Sequence, residues 1–317
     1  MARYIARRLL VAVPTLLALS FLIFALVSAA PGDPADELAR RLNGSQEPSP
    51  EQIEAARQEL NLDRPFLKQY VLWVKGLATG DLGLSFSKKR PVTEVVAERV
   101  GATVQLASAA LVVILVASLP LGVVAALYHR RWPDQVLRVV ALVGASMPSF
   151  FFAYLMIIYF VTRLKLLPVG GRGGFESMIM PAIVLAVLPT AIVSRLLRSS
   201  LLEVLGEDFI RTARSKGVAG AVVVVRHGLR NAAIPVVTYL GTLLGNLLEG
   251  VVITEFIFAW PGLGSLTFEA IAQRDYPMIQ ATVLLAGAVF IAINLIVDIS
   301  YALLDPRIRL DSRLERV

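Results

Sequence analysis

Long apolar blocks alternate with short polar stretches along most of the chain. Each of six blocks holds at least twenty largely apolar residues, and at about 1.5 Å per helical residue this length crosses a hydrocarbon layer of about 30 Å. The blocks predict membrane-spanning helices at Leu9–Ala29, Gly101–Tyr128, Val136–Val161, Met178–Ser200, Ile234–Phe256 and Ile279–Leu304. The pattern therefore predicts an all-α membrane protein with six transmembrane helices.

The first apolar block follows a basic start, as the apolar region of a secretory signal also does. Leu9–Ala29 contains 21 residues without a charge, whereas the apolar region of a signal is usually about 7–15 residues long. We therefore expect a retained helix, so that residues 1–29 form a short cytoplasmic tip and the first span.

Lys and Arg are distributed unevenly between the two sets of connecting segments. If both termini are cytoplasmic, the inner segments carry seventeen basic residues, seven of them within Arg195–Arg230, and the two short outer loops carry four. The positive-inside rule applies to short loops, so the basic residues of the long outer segment at residues 30–99 are not counted. The asymmetry predicts a multi-pass protein of the cytoplasmic (inner) membrane with both termini in the cytoplasm.

The long segment between the first two blocks contains two predicted helices. In SPEQIEAARQEL, Ser49 is the expected N-cap, Pro50 suits the first helical position and Gln52 completes a capping box. The following stretch, PFLKQYVLWVKGLATG, has apolar residues at helical spacing and Gly80 as its stop. Two interpretations are open: an amphipathic helix at the membrane surface, or a small lobe that packs on itself.

Composition limits the chemistry that the chain can support. It contains no cysteine, which excludes disulfides, thiolate metal sites and thiol catalysis. His129 and His227 are far apart in the sequence, so we expect no metal site and no catalytic residue. The net charge of +7 could suggest nucleic acid, but basic inner loops account for it in a membrane protein. We therefore expect contact with membrane lipid and no nucleic-acid partner.

A polar hairpin at residues 201–232 separates the fourth and fifth apolar blocks. Asp208 is the predicted N-cap of a short first helix, and Gly217 is its predicted left-handed stop. The acidic start and basic end of this helix suit its dipole. Its apolar face is formed by Phe209, Ile210 and Ala213. Its basic residues are Arg211, Arg214 and Lys216.

The second arm of the hairpin is predicted as a helix over Val222–Asn231, with Pro235 at its junction with the fifth span. A short helix with an apolar face and a cationic end can dock in a groove on another protein. The alternative is a helix that lies on anionic lipid at the membrane surface.

Four polar residues within the last two predicted spans are candidates for a transport pathway or gate. Intramembrane ionisable groups are costly and usually face the bundle interior or a wet cavity. The four candidates are Asn246, Glu249, Asn294 and Asp298. For Asp298, a structural ion pair with a nearby arginine is the alternative.

Two proline-containing motifs predict breaks in the helices. Ser146-Met147-Pro148 predicts a break in the third span, and Met180-Pro181 predicts one in the fourth.

The hairpin also carries a family resemblance. TARSKG with the downstream HGLRN resembles the cytoplasmic Glu-Ala-Ala loop of ATP-binding-cassette (ABC) importers, whose glycine matches Gly217. The Glu-Ala-Ala positions fall on Arg211, Thr212 and Ala213, and the later Leu-Pro falls on Leu229–Arg230. The resemblance continues through ARRLLVAVPTLLALSF, PGDPA, LDRPFLKQYVLWVKGLATGDLGLSF, SMPSFF, LLPVGG, FAWPGLG, RDYP and NLIVDISYALLDPRIRL. The chain resembles the B-type transmembrane permease subunit of peptide (dipeptide or oligopeptide) ABC importers.

The resemblance implies the type I ABC importer permease fold, with a structured extracytoplasmic segment between helices 1 and 2. The implied division is residues 1–29, the extracytoplasmic segment 30–99, the permease core 100–304 with the coupling hairpin 201–232, and the cytoplasmic tail 305–317. The implied ATPase-coupling residues are Asp208, Phe209, Arg211, Thr212, Ala213, Arg214, Lys216, Gly217, His227, Arg230 and Asn231.

The resemblance also implies partners. A homologous second permease subunit would complete a heterodimer with this chain. The other partners are two cytoplasmic ATP-binding-cassette subunits or domains and an extracytoplasmic peptide-binding protein. The chain has no glycine loop ending in Gly-Lys-Ser/Thr, so it is not expected to be an enzyme or to bind a cofactor itself. ATP and Mg would be bound by the partner ATPases.

Several functions are compatible with these observations. The first expectation is import of di- or oligopeptides by alternating access; nickel chelates and glutathione are alternatives within the same type of importer. A self-contained secondary transporter or channel is disfavoured by the missing inverted repeat. An intramembrane enzyme is disfavoured because no span carries paired catalytic carboxylates or a Ser/His set.

The predicted topology can be tested by labelling because the chain contains no cysteine. Cysteines introduced singly at Ser49 and Ser215 should react with a membrane-impermeant maleimide from opposite sides of the membrane. The cysteine-free parent is the background control. Labelling of both positions from the outside would contradict the topology.

Overall fold

The computed structural model describes residues 2–43 and 47–304, which are almost entirely helical, with one isolated antiparallel bridge between Leu84 and Pro91. The helices fall into two compact units, Met1–Thr103 with Pro261–Val317, and Val104–Trp260. The first unit contains α1 (Ala2–Ser28), α2 (Pro34–Leu42), α3 (Pro50–Glu59), α4 (Phe66–Thr79) and the start of α5 (Val92–Leu127).

The second unit contains the rest of α5 and the helices up to the fifth apolar block. These are α6 (Trp132–Ser146), α7 (Ser149–Met156) with the π segment Ile157–Arg163, α8 (Phe175–Leu205), α9 (Asp208–Ser215), α10 (Gly220–Val222) with the π segment Val223–Leu229, and α11 (Arg230–Ile257). The chain then returns to the first unit with α12 (Leu263–Ala272) and α13 (Tyr276–Leu304).

The described helices agree with six membrane crossings. Within the described residues, four helices are long and apolar enough to span a membrane singly, and two bent helix pairs bring the total to six. The α6–α7 pair bends by 104°, so the third predicted span is two helices rather than one. The predicted break at Ser146-Met147-Pro148 is confirmed, because α6 ends at Ser146 and α7 begins at Ser149.

The predicted break at Met180-Pro181 is wrong. Helix α8 runs without interruption from Phe175 to Leu205 and includes both Pro181 and Pro189. A proline removes one backbone hydrogen bond, but here both prolines are buried within the packed helix. The neighbouring turns and the surrounding contacts are therefore sufficient to keep α8 continuous.

Helix α4 lies against α1 through aromatic side chains. The ring centroid of Phe24 is 5.4 Å from those of both Phe66 and Trp73, and the hydroxyls of Ser20 and Tyr70 are 2.9 Å apart. The packed face of α4 thus includes Phe66, Tyr70 and Trp73. Gly80 ends α4 in the left-handed conformation, with φ 81°, as predicted.

Helices α2 and α3 form a small pair of their own. Their buried contacts are made by Ala35, Ala39 and Ala56, small side chains that let two short helices approach closely. The predicted capping box is confirmed, since the Ser49 hydroxyl accepts from the Gln52 N–H and the Gln52 side chain accepts from the Ser49 N–H. In the structure α2 and α3 pack on each other and α4 packs on α1; the position of α4 at the membrane surface stays a prediction.

A buried carboxylate connects two sequence motifs within the first unit. Asp275 of RDYP has no exposed surface, and its Oδ2 accepts hydrogen bonds from the Ser85 hydroxyl at 2.6 Å and from the Ser87 hydroxyl at 2.7 Å. Its Oδ1 accepts from the Met278 N–H and so caps α13. The carboxylate joins the loop that carries GLSF to the start of the last helix.

Two further motifs meet in the second unit. The N–H of Gly171 in LLPVGG donates to the carbonyl of Phe258 in FAWPGLG at 2.9 Å. A Cβ atom on Gly170 would lie only 1.7 Å from that carbonyl oxygen, so a residue with a side chain could not occupy this position without moving the loop. The close approach accounts for Gly170, and a left-handed backbone with φ +81° accounts for Gly171.

Candidate coupling site

The first arm of the hairpin is the short helix α9, which follows directly after α8. Its N-cap is Glu207, whose extended backbone (φ −69°, ψ 153°) places its carbonyl to accept from the N–H groups of Ile210 and Arg211. The prediction of Asp208 as the N-cap is wrong by one residue, because Asp208 already has helical backbone geometry. Its carboxylate still lies in the first turn, where it complements the helix dipole.

Helix α9 is attached to the rest of the unit by one fully buried side chain. Ile210 has no exposed surface. Val223, at the start of the π segment that α9 contacts, is also fully buried. Ala213 is half-buried and Phe209 remains 45% exposed. The predicted apolar face is therefore divided: part of it holds α9 in place, and Phe209 is available to a partner.

The opposite surface of α9 is basic and open to solvent. Arg211, Arg214 and Lys216 are all exposed. Arg211 forms an ion pair with Asp208 at 3.3 Å, but both side chains are at least 75% exposed, and such pairs contribute little to stability. These cations do not serve the fold of the described residues, so they are free to meet a surface of opposite charge.

Gly217 ends α9 as the sequence predicts. Its φ of +77° is left-handed, the Gly217 N–H donates to the Arg214 carbonyl at 2.9 Å, and the Val218 N–H donates to the Ala213 carbonyl at 3.3 Å. This pair of hydrogen bonds is the Schellman motif. No atom lies within 4 Å of the position that a Cβ would take, so only the backbone conformation selects glycine here.

The second arm differs from the prediction in where it begins and ends. The helix starts at Gly220, passes through the π segment and continues as α11, which includes Pro235. The predicted start at Val222 and the junction at Pro235 are therefore wrong, because the backbone stays helical throughout. Asn231 donates to the His227 carbonyl at 2.8 Å, one turn earlier.

Gly228 is a site residue that the sequence analysis did not single out. It is fully buried, and a Cβ atom there would lie 3.1 Å from Leu201 Cδ1 and 3.5 Å from Leu205 Cδ2. The glycine lets the second arm approach the last turns of α8. The HGLRN motif contained this signal, since a glycine inside a helical pattern often marks close packing.

A charge cluster lies seven residues before the end of α8. Asp134 of α6 has no exposed surface and accepts two hydrogen bonds from the Arg198 guanidinium, at 2.6 and 2.8 Å. The Arg130 N–H donates to the same carboxylate at 2.9 Å, and Arg198 also reaches His129 Nδ1 at 2.9 Å. We call this the Asp134–Arg198 clamp; it fixes α6 to α8.

The eleven predicted coupling residues lie in one hairpin. Eight belong to α9 and its C-terminal turn, and His227, Arg230 and Asn231 lie on the second arm, which α9 contacts through the π segment. The structure also adds Gly228 and the clamp, which lies about 10 Å from the end of α8 at 1.5 Å per residue. The clamp residues are 64 positions apart, so no local pattern could reveal them.

The candidate pathway residues remain predictions. Asn246 and Glu249 belong to α11 and Asp298 to α13, but the side chains of all three lie outside the described residues. The Asn294 side chain donates to the Phe290 carbonyl at 3.0 Å, one turn earlier in its own helix. Among the described residues, no three His, Asp or Glu side chains lie close enough to hold a metal ion.

Comparison with known proteins agrees with this architecture. Residues 118–310 match the binding-protein-dependent transport system inner membrane component family, and residues 1–107 match the N-terminal membrane component of the same systems. The glutathione transport system permease protein GsiC of Escherichia coli (strain CFT073) is 41% identical over 98% of this chain and 99% of that protein. The proteins of the same name from Shigella flexneri and Shigella boydii are each 40% identical with the same coverage.

The helical fold and the matches define an inner-membrane permease component of an ABC importer, with the type I permease fold. The chain belongs to the binding-protein-dependent transport system inner membrane component family. The family resemblance and the predicted all-α, multi-pass membrane fold are thereby confirmed.

The clamp predicts a specific loss of stability. Replacing Asp134 by Ala leaves the Arg198 guanidinium, whose side chain is only 15% exposed, without its bidentate partner; we expect a loss of about 1–3 kcal/mol. Thermal unfolding of the purified permease in detergent measures it. The matched control is Arg138→Ala, because Arg138 is 53% exposed and 3.5 Å from the same carboxylate. Equal unfolding temperatures for the two variants would show that the clamp is dispensable.

Proposed function

We propose that this chain is the permease subunit of an ATP-driven importer that moves di- or oligopeptides into the cytoplasm by alternating access. The family supplies the importer type, and the similar proteins named for glutathione transport support a short peptide as cargo, because glutathione is itself a tripeptide. The single observation that carries the proposal is α9: a short helix held by the buried Ile210, closed by Gly217, with an exposed basic surface.

The proposed complex has four kinds of component. A homologous second permease would complete the pathway, two cytoplasmic ABC subunits or domains would hydrolyse ATP, and an extracytoplasmic binding protein would deliver the peptide. In this arrangement both termini and residues 201–232 face the cytoplasm, as the basic asymmetry predicts. The segment at residues 30–99 then faces the outside, and residues 100–304 form the permease core.

The exposed surface of α9 indicates what its docking groove must provide. Phe209 would enter an apolar socket, since an exposed aromatic side chain is a typical anchor of a binding interface. Arg211, Arg214 and Lys216 would meet acidic side chains at the rim of the groove. Because Arg211 stands where the related loop has an acidic residue, the ATPase groove for this chain should be more acidic than usual.

Movement of the docked helix would reach the membrane through the contacts of the hairpin. The close approach of Gly228 to Leu201 and Leu205 ties the second arm to α8, and the clamp ties α8 to α6. ATP-driven closure of the ATPases would therefore be passed to α8 and α11 together and then to α6.

Reconstitution tests the function directly. In proteoliposomes that contain both permeases and the ATPases, uptake of trialanine or glutathione should require the cognate binding protein and ATP on the ATPase side. Liposomes with an ion gradient but without the ATPases are the control and should take up neither peptide. Gradient-driven uptake in that control would instead support a secondary transporter.

The docking role of α9 predicts that Gly217→Val uncouples the importer. A left-handed backbone costs a non-glycine residue about 1–2 kcal/mol, and a β-branched residue tolerates it poorly. We expect normal membrane insertion but a loss of ATPase co-purification or of substrate-stimulated ATP hydrolysis, by about 5- to 150-fold in coupling.

Gly217→Asn is the matched control, because asparagine adopts the left-handed conformation more readily and no neighbouring atom restricts a side chain there. It should retain most of the coupling. A crosslinker at Ser215 should reach the ATPase in the wild-type complex. Full transport by Gly217→Val, together with crosslinking of Ser215 to lipid alone, would make the hairpin a membrane-surface anchor.

A further inference from the structure

The first unit contains an open cavity that has no part in the coupling hairpin. Its volume is about 670 Å³, within the range of about 300–1,000 Å³ that is typical of small-molecule sites. The walls come from the C-terminal end of α1, from α3 and α4, from the loop that follows Gly80, and from the start of α13. All of its lining residues belong to the same compact unit.

One part of the cavity wall is aromatic. The rings of Phe24 and Trp73 lie 5.4 Å apart between centroids, and those of Phe86 and Tyr276 lie 6.4 Å apart. Phe24, Phe86 and Tyr276 are each less than 8% exposed, so packing holds these rings in place. The faces of aromatic rings attract organic cations as well as apolar groups. The aromatic wall is formed by Phe24, Phe66, Trp73, Phe86 and Tyr276.

The charged groups of the cavity have an acidic excess. Among the described residues that line it, Arg57 is the one basic residue, and it is already paired with Asp33. The other two acidic residues of the lining are Glu59 and Asp81. Neither carboxylate forms an ion pair with a described residue. The Asp81 Oδ1 accepts only the Gly83 N–H, at 2.9 Å. An anionic ligand would be repelled here, although the chain as a whole carries a net charge of +7.

We infer that this cavity binds the primary ammonium group of a ligand whose body rests on the aromatic wall. Glu59 and Asp81 supply the opposite charge, and the rings of Phe24 and Trp73 supply the apolar and cation–π contacts. The inference rests on the proposed topology, in which residues 30–99, which supply most of the cavity lining, face the outside. Two sources of such an ammonium group can then reach it: the amino terminus of an arriving peptide, and the ethanolamine head group of a membrane lipid.

Fluorescence of the complete complex can test the inference without ATP. Trp73 lines the cavity, so its emission should change when the site fills; a parallel Trp73→Phe complex identifies the contribution of all other tryptophans in this chain and in its partners. The complex is placed in phosphatidylcholine nanodiscs and titrated with trialanine or with N-acetyltrialanine, which lacks the ammonium group. A second set of nanodiscs contains phosphatidylethanolamine.

If peptide is the source, trialanine changes the Trp73 emission in phosphatidylcholine and N-acetyltrialanine does not. If lipid is the source, phosphatidylethanolamine alone produces the change and trialanine adds nothing. In either case, Glu59→Gln with Asp81→Asn should weaken binding by about tenfold, the summed effect of two solvent-exposed charge contacts.

The matched control is Glu51→Gln with Asp63→Asn, which removes the same two charges from this unit at positions that do not line the cavity. This control should bind like the wild type. The inference is overturned if no ligand alters the Trp73 emission, if the N-acetylated peptide binds equally well, or if both double variants weaken binding equally. The uptake and coupling experiments do not depend on this site, so they can succeed when this one fails.

Discussion

The packing of α8 against α11 is the contact on which the position of the hairpin at residues 201–232 depends. One buried cluster contains Val193, Leu197 and Leu201 of α8 together with Val236 and Leu243 of α11. Helix α9 follows the end of α8 and contacts the π segment that leads into α11. In hydrocarbon, burial of apolar side chains gives little driving force, so close fit decides which helices associate. A short helix such as α9 would be marginal alone. The packing of α8 against α11 therefore determines where α9 lies.

Two buried carboxylates show how polar groups are accommodated in the two units. Asp134 is neutralised by a guanidinium, whereas Asp275 is surrounded by hydroxyl and backbone donors. Both have no exposed surface, and a buried charge is tolerated only with such partners. Each carboxylate also joins segments far apart in the chain, by 64 residues for Arg198 and by 190 for Ser85. They fix tertiary arrangement where apolar contacts are less specific.

The sequence could predict features that are set within a few residues, and it missed those set by distant contacts. The spans, the capping box at Ser49 and the left-handed stop at Gly217 follow from local chemistry, and the structure contains each of them. Proline at position 181 signalled a break locally, but α8 continues through it as one packed helix. The partners of Asp134 and the 104° bend between α6 and α7 depend on the folded unit.

The π segment at Val223–Leu229 determines where the length of this region can vary. A π turn holds more residues than an α turn, so a residue deleted within it can be absorbed by conversion of the π turn to an α turn. Each residue turns an α-helix by about 100°, so a deletion in the regular helix after Arg230 would instead rotate the second arm and move Gly228 away from Leu201. Because the hairpin is joined to α11 by continuous helix, we expect chains with this architecture to vary in length within the π segment more readily than in the helix that follows it.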